Sequence, residues 1–438
     1  MIRRSITGLA VGTVLTVLTV MTAACSEPET QAVDDEGTTT PSGEDCSGDA
    51  MLDCARDSTI GELVPDEATA ATGEPIRIGM INQENTPVGS YPELGQAAGA
   101  AIDFINEQLG GIDGRPLELE VCNTKFSAEG STACAQGFVE QEIPAVLGGV
   151  DVFGNGVEVL ADNDIPFVGG IPVSSQSVQS PNSFQWSGGS WGTTVAIADH
   201  AANELEAERV AIVYGDFGSI AESAEYARDV LDAAGVETLL VPYPISATDV
   251  TSAIEAARAG EPDAIFMLAA DTGCAAGYEA MWTLDVTAQK YFTGACVSPT
   301  ILDSVDADAT DGTIFNVEGP ISTDEPTQDA ALYDAVIDEY GNGVDAVGPG
   351  TVTFRAVMNL YGVLRELGAD GLHGPAIIDA LAGQHDTPSF LGHDYTCDGE
   401  QFAGLPAMCS PQQILGRVED RQLRQISGWI DVGEIHRT

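Results

Sequence analysis

Basic residues are scarce in this chain of 438 residues, which has 16 lysines and arginines against 68 acids and a formal net charge of −52. The only lysines are Lys125 and Lys290. A surface this acidic repels phosphate, so nucleic acid and anionic lipid are poor partners for it. Two explanations of the charge stay open. One is a saline or alkaline habitat, where salt screens the repulsion, and the other is acidic drift in a GC-rich genome.

Metal-binding motifs are also missing. There is no Cys-x-x-Cys, and the five histidines (200, 373, 385, 393 and 436) are scattered along the chain. Structural zinc sites combine cysteine and histidine at short spacings. The sequence therefore predicts neither a metal nor a cofactor.

The first 25 residues are typical of an export signal. Arg3 and Arg4 precede an uncharged run, 6–24, which ends in Ala-Ala before Cys25. This end resembles a bacterial lipobox, although Thr22 stands where leucine is usual. The resemblance implies cleavage before Cys25, lipidation of its sulfur, and anchoring at the extracellular face of the cell membrane. A single transmembrane anchor, or cleavage and release, is the alternative.

The other eight cysteines fall in pairs that are close in sequence, and export favours disulfides. A metal site is the weaker alternative, and eight cysteines allow many connectivities. The simplest pairing joins Cys46 to Cys54, Cys122 to Cys134, Cys274 to Cys296 and Cys397 to Cys409.

Composition divides the rest of the chain into a tether and a body. Residues 26–74 are rich in Ser, Glu, Asp, Thr, Gly and Pro and predict a disordered acidic tether. The remainder is longer than one hydrophobic core usually covers, so two lobes are expected.

The body alternates strand and helix patterns. Ile76–Ile81 is a short apolar strand, and 92–109 is a helix with one apolar face that Gly110-Gly111 ends. The alternation restarts after Trp186, which is expected to be structural. Repeated β-α units predict an α/β protein of two doubly wound parallel-sheet lobes, whose ligand lies beyond the carboxyl ends of the strands. The stretches 413–418 and 423–430 predict a β-hairpin that turns near Glu419-Asp420.

Two motifs add a family resemblance. The helix contains Ala-Ile-Asp-Phe-Ile-Asn at 101–106, and Gly-Gly-Ile-Asp-Gly follows at 110–114. Over about 75–431 the chain resembles the type I periplasmic-binding proteins, in particular the branched-chain amino acid-binding branch, and Asp398-Gly399 resembles a late loop of actinobacterial members. The resemblance implies a three-strand hinge, with lobe one at 75–186 and 318–386 and lobe two at 187–317 and 387–431.

The same resemblance implies a function. Such proteins close two lobes around a small solute and deliver it to the permease of an ABC importer. For this chain it implies a monomer that contacts the membrane only through its lipid, and no enzymatic activity.

The family holds a solute carboxylate with backbone N–H groups and hydroxyls from two turns, here 149–156 and 169–175. Helix capping by the serines and turn geometry for the glycines are the alternative roles. Aromatic side chains near the first helix and after the first strand of lobe two also line the cleft, unless the former is a hydrophobic staple. The candidate ligand-binding residues from these positions are Tyr91, Asp151, Phe153, Gly154, Gly170, Val173, Ser174, Ser175, Phe217 and Ser219.

Two positions depart from the family. Cys296 stands where an acid usually holds the ammonium group of an amino acid, and Ala270 stands where an aromatic residue is usual. Asp271 and Glu318 are possible substitute cation acceptors, or else ordinary surface acids. The expected solute is therefore a small polar or amphipathic molecule such as an amino acid, a carboxylate or an amide.

Gly-Gly-Ser-Trp-Gly at 188–192 matches the nucleophile elbow of serine hydrolases, with Ser190 as nucleophile. A histidine at 373, 385 or 393 could complete a triad, which keeps an extracellular hydrolase as an alternative. Phe184–Ser187 is shorter than the buried strand that normally precedes an elbow. A lipid-anchored sensor that feeds no transporter is a further alternative.

Overall fold

The computed structural model describes residues 46–86, 89–319 and 326–437. The predicted signal peptide, the lipidation at Cys25 and the first part of the tether lie outside these residues. Within the described ranges, no helix has both the length and the apolar character to cross a bilayer.

The first sheet has five strands, all parallel, in the order β2-β1-β3-β4-β5. Val146, Leu147 and the other central residues are buried on both faces, as expected for a parallel sheet covered by helices. The strands are β1 Ile76–Asn82, β2 Leu117–Asn123, β3 Val146–Gly148, β4 Phe167–Val168 and β5 Ser183–Phe184.

The second sheet has seven strands in the order β12-β11-β10-β9-β8-β6-β7. Its last two strands form an antiparallel hairpin, which confirms the predicted one. Asp420 and Arg421 make the turn with φ of 52° and 63°. The strands are β6 Arg209–Gly215, β7 Glu237–Tyr243, β8 Ala264–Leu268, β9 Gln289–Phe292, β10 Ile314–Val317, β11 Ile414–Glu419 and β12 Gln422–Gln425.

Helices cover both sheets, so the predicted fold of two α/β lobes is confirmed. The α-helices are α1 Met51–Asp57, α2 Pro92–Glu107, α3 Ala128–Glu140, α4 Asn155–Ala161, α5 Ser175–Gln179, α6 Gly189–Asn203, α7 Gly218–Ala233, α8 Thr251–Arg258, α9 Asp271–Thr283, α10 Pro299–Ser304, α11 Ala307–Thr310, α12 Gln328–Tyr340, α13 Gly350–Leu367, α14 Gly374–Ala382 and α15 Val432–Arg437.

Helices α2 and α13 pack closely in the first lobe because their contact is made by small residues. A Cβ atom on Gly350 would lie 3.0 Å from the Cβ of Ala97. Thr353 Oγ1 also donates to the Leu94 carbonyl at 2.7 Å, so the buried hydroxyl has a partner. This pair places the start of α2, and with it Tyr91, at the edge of the first sheet.

The prediction of a disordered tether is wrong for residues 46–74. Helix α1 lies there, and Met51, Leu52 and Ala55 are buried in the core of the first lobe. Thr59 donates to Asp329 through its backbone N–H at 2.8 Å and through its hydroxyl at 2.6 Å. Buried apolar side chains, the Cys46–Cys54 disulfide and backbone hydrogen bonds such as Thr69 N to the Gln108 carbonyl order an otherwise acidic stretch.

The four predicted disulfides are present. They join the half-cystines that are nearest in sequence: Cys46–Cys54, Cys122–Cys134, Cys274–Cys296 and Cys397–Cys409.

The predicted third boundary between the lobes, at 386/387, is wrong for the segment that follows it. Phe390, Leu391 and Tyr395 belong to the hydrophobic core of the first lobe, whereas Phe402 packs in the second. The chain joins the second sheet only near Gln413. Some apolar residues between 387 and 413 pack in the first lobe and others in the second. No single boundary therefore divides this segment between the lobes.

Candidate functional site

The turn after β4 contacts the second lobe directly. Ser219 Oγ donates to the Val173 carbonyl, and Ser190 N donates to the Pro172 carbonyl at 3.4 Å. Ser175 Oγ donates to the Glu222 carboxylate at 2.9 Å. Three of the predicted ligand-binding residues therefore lie on the two walls of one interlobe cleft.

Ser174 has the capping role rather than a cleft contact. It is buried, and its Oγ accepts a hydrogen bond from Ser177 N at 3.3 Å. In return, Ser177 Oγ accepts a hydrogen bond from Ser174 N. This reciprocal pair is a capping box that starts α5.

The turn after β3 is built around Asp151. Its carboxylate is buried and accepts from Ser131 Oγ at 2.5 Å, from Phe153 N at 3.3 Å and from the Gly154 N–H. Burial raises the pKa of Asp151, and these hydrogen bonds oppose the rise. Because protein donors contact both oxygens, Asp151 shapes the turn that carries Phe153, and its contact with a ligand remains a prediction.

Gly154 and Gly170 bring the two turns together. Both have left-handed φ, of 68° and 83°. A Cβ at Gly154 would lie 2.4 Å from Ser174 Oγ, and one at Gly170 would lie 2.4 Å from the backbone of Gly148. Both glycines are therefore required by close approach as well as by conformation.

Three phenylalanines form the first of two contrasting corners of the cleft. Phe126 and Phe153 come from lobe one and Phe217 from lobe two, and all three are half-buried. We call them the aromatic corner. Phe126 was not among the predicted residues. Its position just after β2, at the carboxyl end of a parallel strand, is the signal that could have identified it.

The second corner, which we call the acidic corner, consists of Glu84, Tyr91, Glu93 and Asp271. Asp271 begins α9, next to Ala270 at its N-cap, and accepts from Ser90 N at 3.3 Å and from the Tyr91 hydroxyl. The predicted pair Tyr91 and Asp271 is thus in contact across the cleft.

The acidic corner gathers three half-buried carboxyl groups without a cation. Burial raises the pKa of Asp271 and of Tyr91. Burial, with the charges of Asp271 and Glu84, raises the pKa of Glu93 to about 7. Among the described residues, no lysine or arginine forms an ion pair with these three acids. Glu84 and Glu93 were not predicted, since nothing in sequence separates them from surface acids.

Glu318 lies at the hinge, not in the cleft. Its Oε2 pairs with Arg355 Nη2 at 3.1 Å, and its Oε1 accepts from Ser187 Oγ at 2.8 Å and Gln413 Nε2 at 3.4 Å. Both oxygens are occupied, so the predicted role as a cation acceptor for the ligand does not fit. Instead Glu318 ties together the segments that connect the lobes. Trp186 is buried beside them with its ring edge-on to Tyr395, as expected for a structural residue.

The Gly-x-Ser-x-Gly motif lies in the first turn of α6. Strand β5 ends at Phe184, several residues before Ser190, and the positive φ belongs to Gly189 at 53°. A nucleophile elbow instead places its serine on a sharp turn directly after a strand. Within the described residues, no histidine hydrogen-bonds the Ser190 hydroxyl. The local geometry is that of a helix start.

The periplasmic binding protein family model matches residues 75–405 of the chain. Among curated proteins, none is similar enough to count as a match.

Solved structures show the same fold at low sequence identity. The leucine-binding protein LivK from Thermotoga maritima has 14% identity and a TM-score of 0.68, over 80% of this chain and 98% of that one. A fatty acid ABC transporter substrate-binding protein from Thermomonospora curvata has 14% identity and a TM-score of 0.70, over 85% and 96%. LivJ from Streptococcus pneumoniae, in complex with isoleucine, has 14% identity and a TM-score of 0.66, over 81% and 100%.

The two mostly parallel sheets and the helices that cover them agree with these findings. The matched region spans both lobes. This chain belongs to the periplasmic binding protein family, with the type I fold.

Proposed function

We propose that this chain captures a small amphipathic solute, such as an amino acid, a carboxylate or an amide, between its lobes and delivers it to the permease of an ABC importer. It acts as a monomer at the extracellular face of the membrane, held by the lipid on Cys25. The observation that carries the proposal is the set of contacts made by the turn 172–175 with the opposite lobe. A solute bound beside this turn would be enclosed when these contacts form.

The walls of the cleft suit a carboxylate or carbonyl group. The N–H groups of Val152, Gly170 and Val173 donate to no acceptor among the described residues. They belong to the turns after β3 and β4, at the carboxyl ends of parallel strands. Fixed N–H groups at such turns bind anions without rearrangement.

The relatives support the same class of solute. Isoleucine is bound by the Streptococcus pneumoniae protein, and the name of the Thermomonospora curvata protein specifies a fatty acid. Both ligands combine a carboxylate with an apolar part. We therefore expect the solute to combine both features.

Thermal unfolding of the purified full chain with a panel of amino acids, carboxylates, amides and sugars tests binding. A ligand at 100 times its Kd stabilises the folded state by about 2.7 kcal/mol. If no compound class raises the melting temperature, the proposal fails. Uptake of the bound solute by cells with and without the gene then separates transport from sensing.

Ser190→Ala provides a matched test against the hydrolase alternative. We expect the variant to keep the full ligand-induced stabilisation, because the Ser190 side chain lies in a helix start. An esterase activity that is present in the native chain and lost in this variant would contradict a binding role.

A further inference from the structure

The aromatic corner carries an inference about the solute that rests on the proposed function. The rings of Phe126 and Phe153 have centroids 5.3 Å apart at an interplanar angle of 63°. Phe217 reaches across the cleft to both, at 5.7 Å from Phe126 and 5.5 Å from Phe153. Each ring thus contacts the other two, and the set is complete only when the lobes are together.

Phe126 is held in place by an unusual backbone. Lys125 and Phe126 have successive left-handed φ angles of 54° and 53°. That region is rare for bulky residues and unfavourable, so it persists only where the surroundings impose it. Here Asn123 Oδ1 accepts from Lys125 N at 2.8 Å, and Ser127 caps α3 immediately afterwards. The turn fixes the ring of Phe126 at the mouth of the cleft.

The neighbours of the rings give the site two chemically different ends. Val152 precedes Phe153, and its N–H is one of the unpaired donors in the turn. Rings that meet edge to face present both π faces and C–H edges, which favours contact with another aromatic ring. A solute with a carboxylate or amide at the turn would place its remaining atoms toward these rings.

The geometry points to an aromatic clamp: Phe126, Phe153 and Phe217 close over a flat apolar group of the solute, and Phe126 determines which groups are accepted. The solute class is then an aromatic carboxylate, amide or amino acid rather than a polyol or a short aliphatic acid. Phe126 is a specificity-determining residue that touches the solute.

Matched pairs of compounds test the clamp by calorimetry and thermal unfolding of the full chain. The pairs are 3-phenylpropionate with propionate, 3-phenylpropionamide with propionamide, and phenylalanine with alanine, and glucose stands for the polyols. We expect at least one aromatic member to bind and its partner to bind at least tenfold more weakly. Equal binding within every pair overturns the clamp and leaves the proposed function standing. Binding of glucose alone overturns both, because a polyol is outside the proposed class of solutes. No binding by any compound overturns both.

Substitutions show which side chains produce the preference for aromatic compounds. Phe126→Ala is expected to weaken the best aromatic ligand by roughly tenfold to a hundredfold, since a buried phenyl group contributes about 1.5–3 kcal/mol. Phe126→Leu should restore part of the loss. Trp282→Ala is the control, because this ring is 50% exposed on α9 and is not part of the clamp. If Phe126→Ala fails to fold, Phe217→Ala gives the same test from the other lobe. An unchanged Kd in a folded variant of either residue overturns the clamp.

Discussion

The hinge and the acidic corner both bury carboxylates where the lobes meet, but only the hinge supplies a cation. Glu318 and Arg355 have side chains only 12% and 4% exposed and are 3.1 Å apart. The Arg355 guanidinium also donates to the Glu318 carbonyl. Burial lowers the pKa of Arg355, and the charge of Glu318 opposes this. At the acidic corner, Asp271 relies on one N–H and one hydroxyl from the opposite lobe.

From this difference we expect the hinge contact to persist and the contact at the acidic corner to form and break. Separating the buried Glu318–Arg355 pair would leave an uncompensated charge, so the hinge is costly to disturb even though Arg355 Nε has no partner in the described part of the chain. A buried carboxylate that is only partly satisfied gains solvation when the lobes separate, so the acidic corner opens at low cost. The proposed closure would then turn about the hinge as its fixed edge.

Arg355→Met should produce the largest effect, because it leaves Glu318 buried without its cation. We expect a loss of about 3–5 kcal/mol in the free energy of unfolding, measured by denaturant titration of the full chain.

The double variant Glu318→Gln/Arg355→Met checks the cause. It removes both charges and keeps an acceptor for Ser187, so most of the loss should be recovered. A double variant as unstable as the single one would show that packing of the arginine, not the unpaired charge, holds the hinge.

The contrast between the two regions also shows what sequence could reveal. The family resemblance identified Tyr91 and Phe217 as cleft residues, and Asp271 was predicted because it is next to Ala270, where the family usually has an aromatic residue. The resemblance could not reveal that Ser131, from another helix, would engage Asp151. Partners far apart in sequence are set by packing, not by local pattern.

The same limit explains the error about the tether and the error about Glu318. Thr59 donates to Asp329, which is far away in sequence. The residues near Thr59 therefore do not indicate that the segment is ordered. Glu318 finds Arg355 on α13, which no local pattern around Glu318 indicates. The strand and helix alternation was predictable because its periodicity is local.

Glu93→Gln tests the acidic corner, where no cation among the described residues compensates the carboxylates. The folded-state pKa of about 7 lies above the ordinary value of 4.5. Ionised Glu93 therefore destabilises the folded chain fully above pH 7, and the cost disappears as the pH falls from 7 to about 4.5. We expect the variant to gain on the order of 2 kcal/mol at pH 8 and little at pH 4.5.

Unfolding free energies at several pH values measure this. Glu279→Gln is the matched control, since it changes an exposed carboxylate on α9. Equal pH dependence in the native chain and in Glu93→Gln would mean that Glu93 does not carry the uncompensated charge.

Ser175→Ala should give the smallest effect and separates closure from folding. The hydroxyl of Ser175 contacts exposed Glu222 only across the cleft, so its loss should cost under about 1 kcal/mol, and only in the closed form. We expect an affinity about threefold to fivefold lower for the panel compound that stabilises the chain most, with unfolding unchanged. Ser174→Ala should behave in the opposite way, because Ser174 caps α5 within one lobe: stability falls by about 1 kcal/mol and affinity changes little. If both variants lower stability and affinity together, the cleft contacts are part of the rigid fold, and the distinction between a fixed hinge and a reversible cleft does not hold.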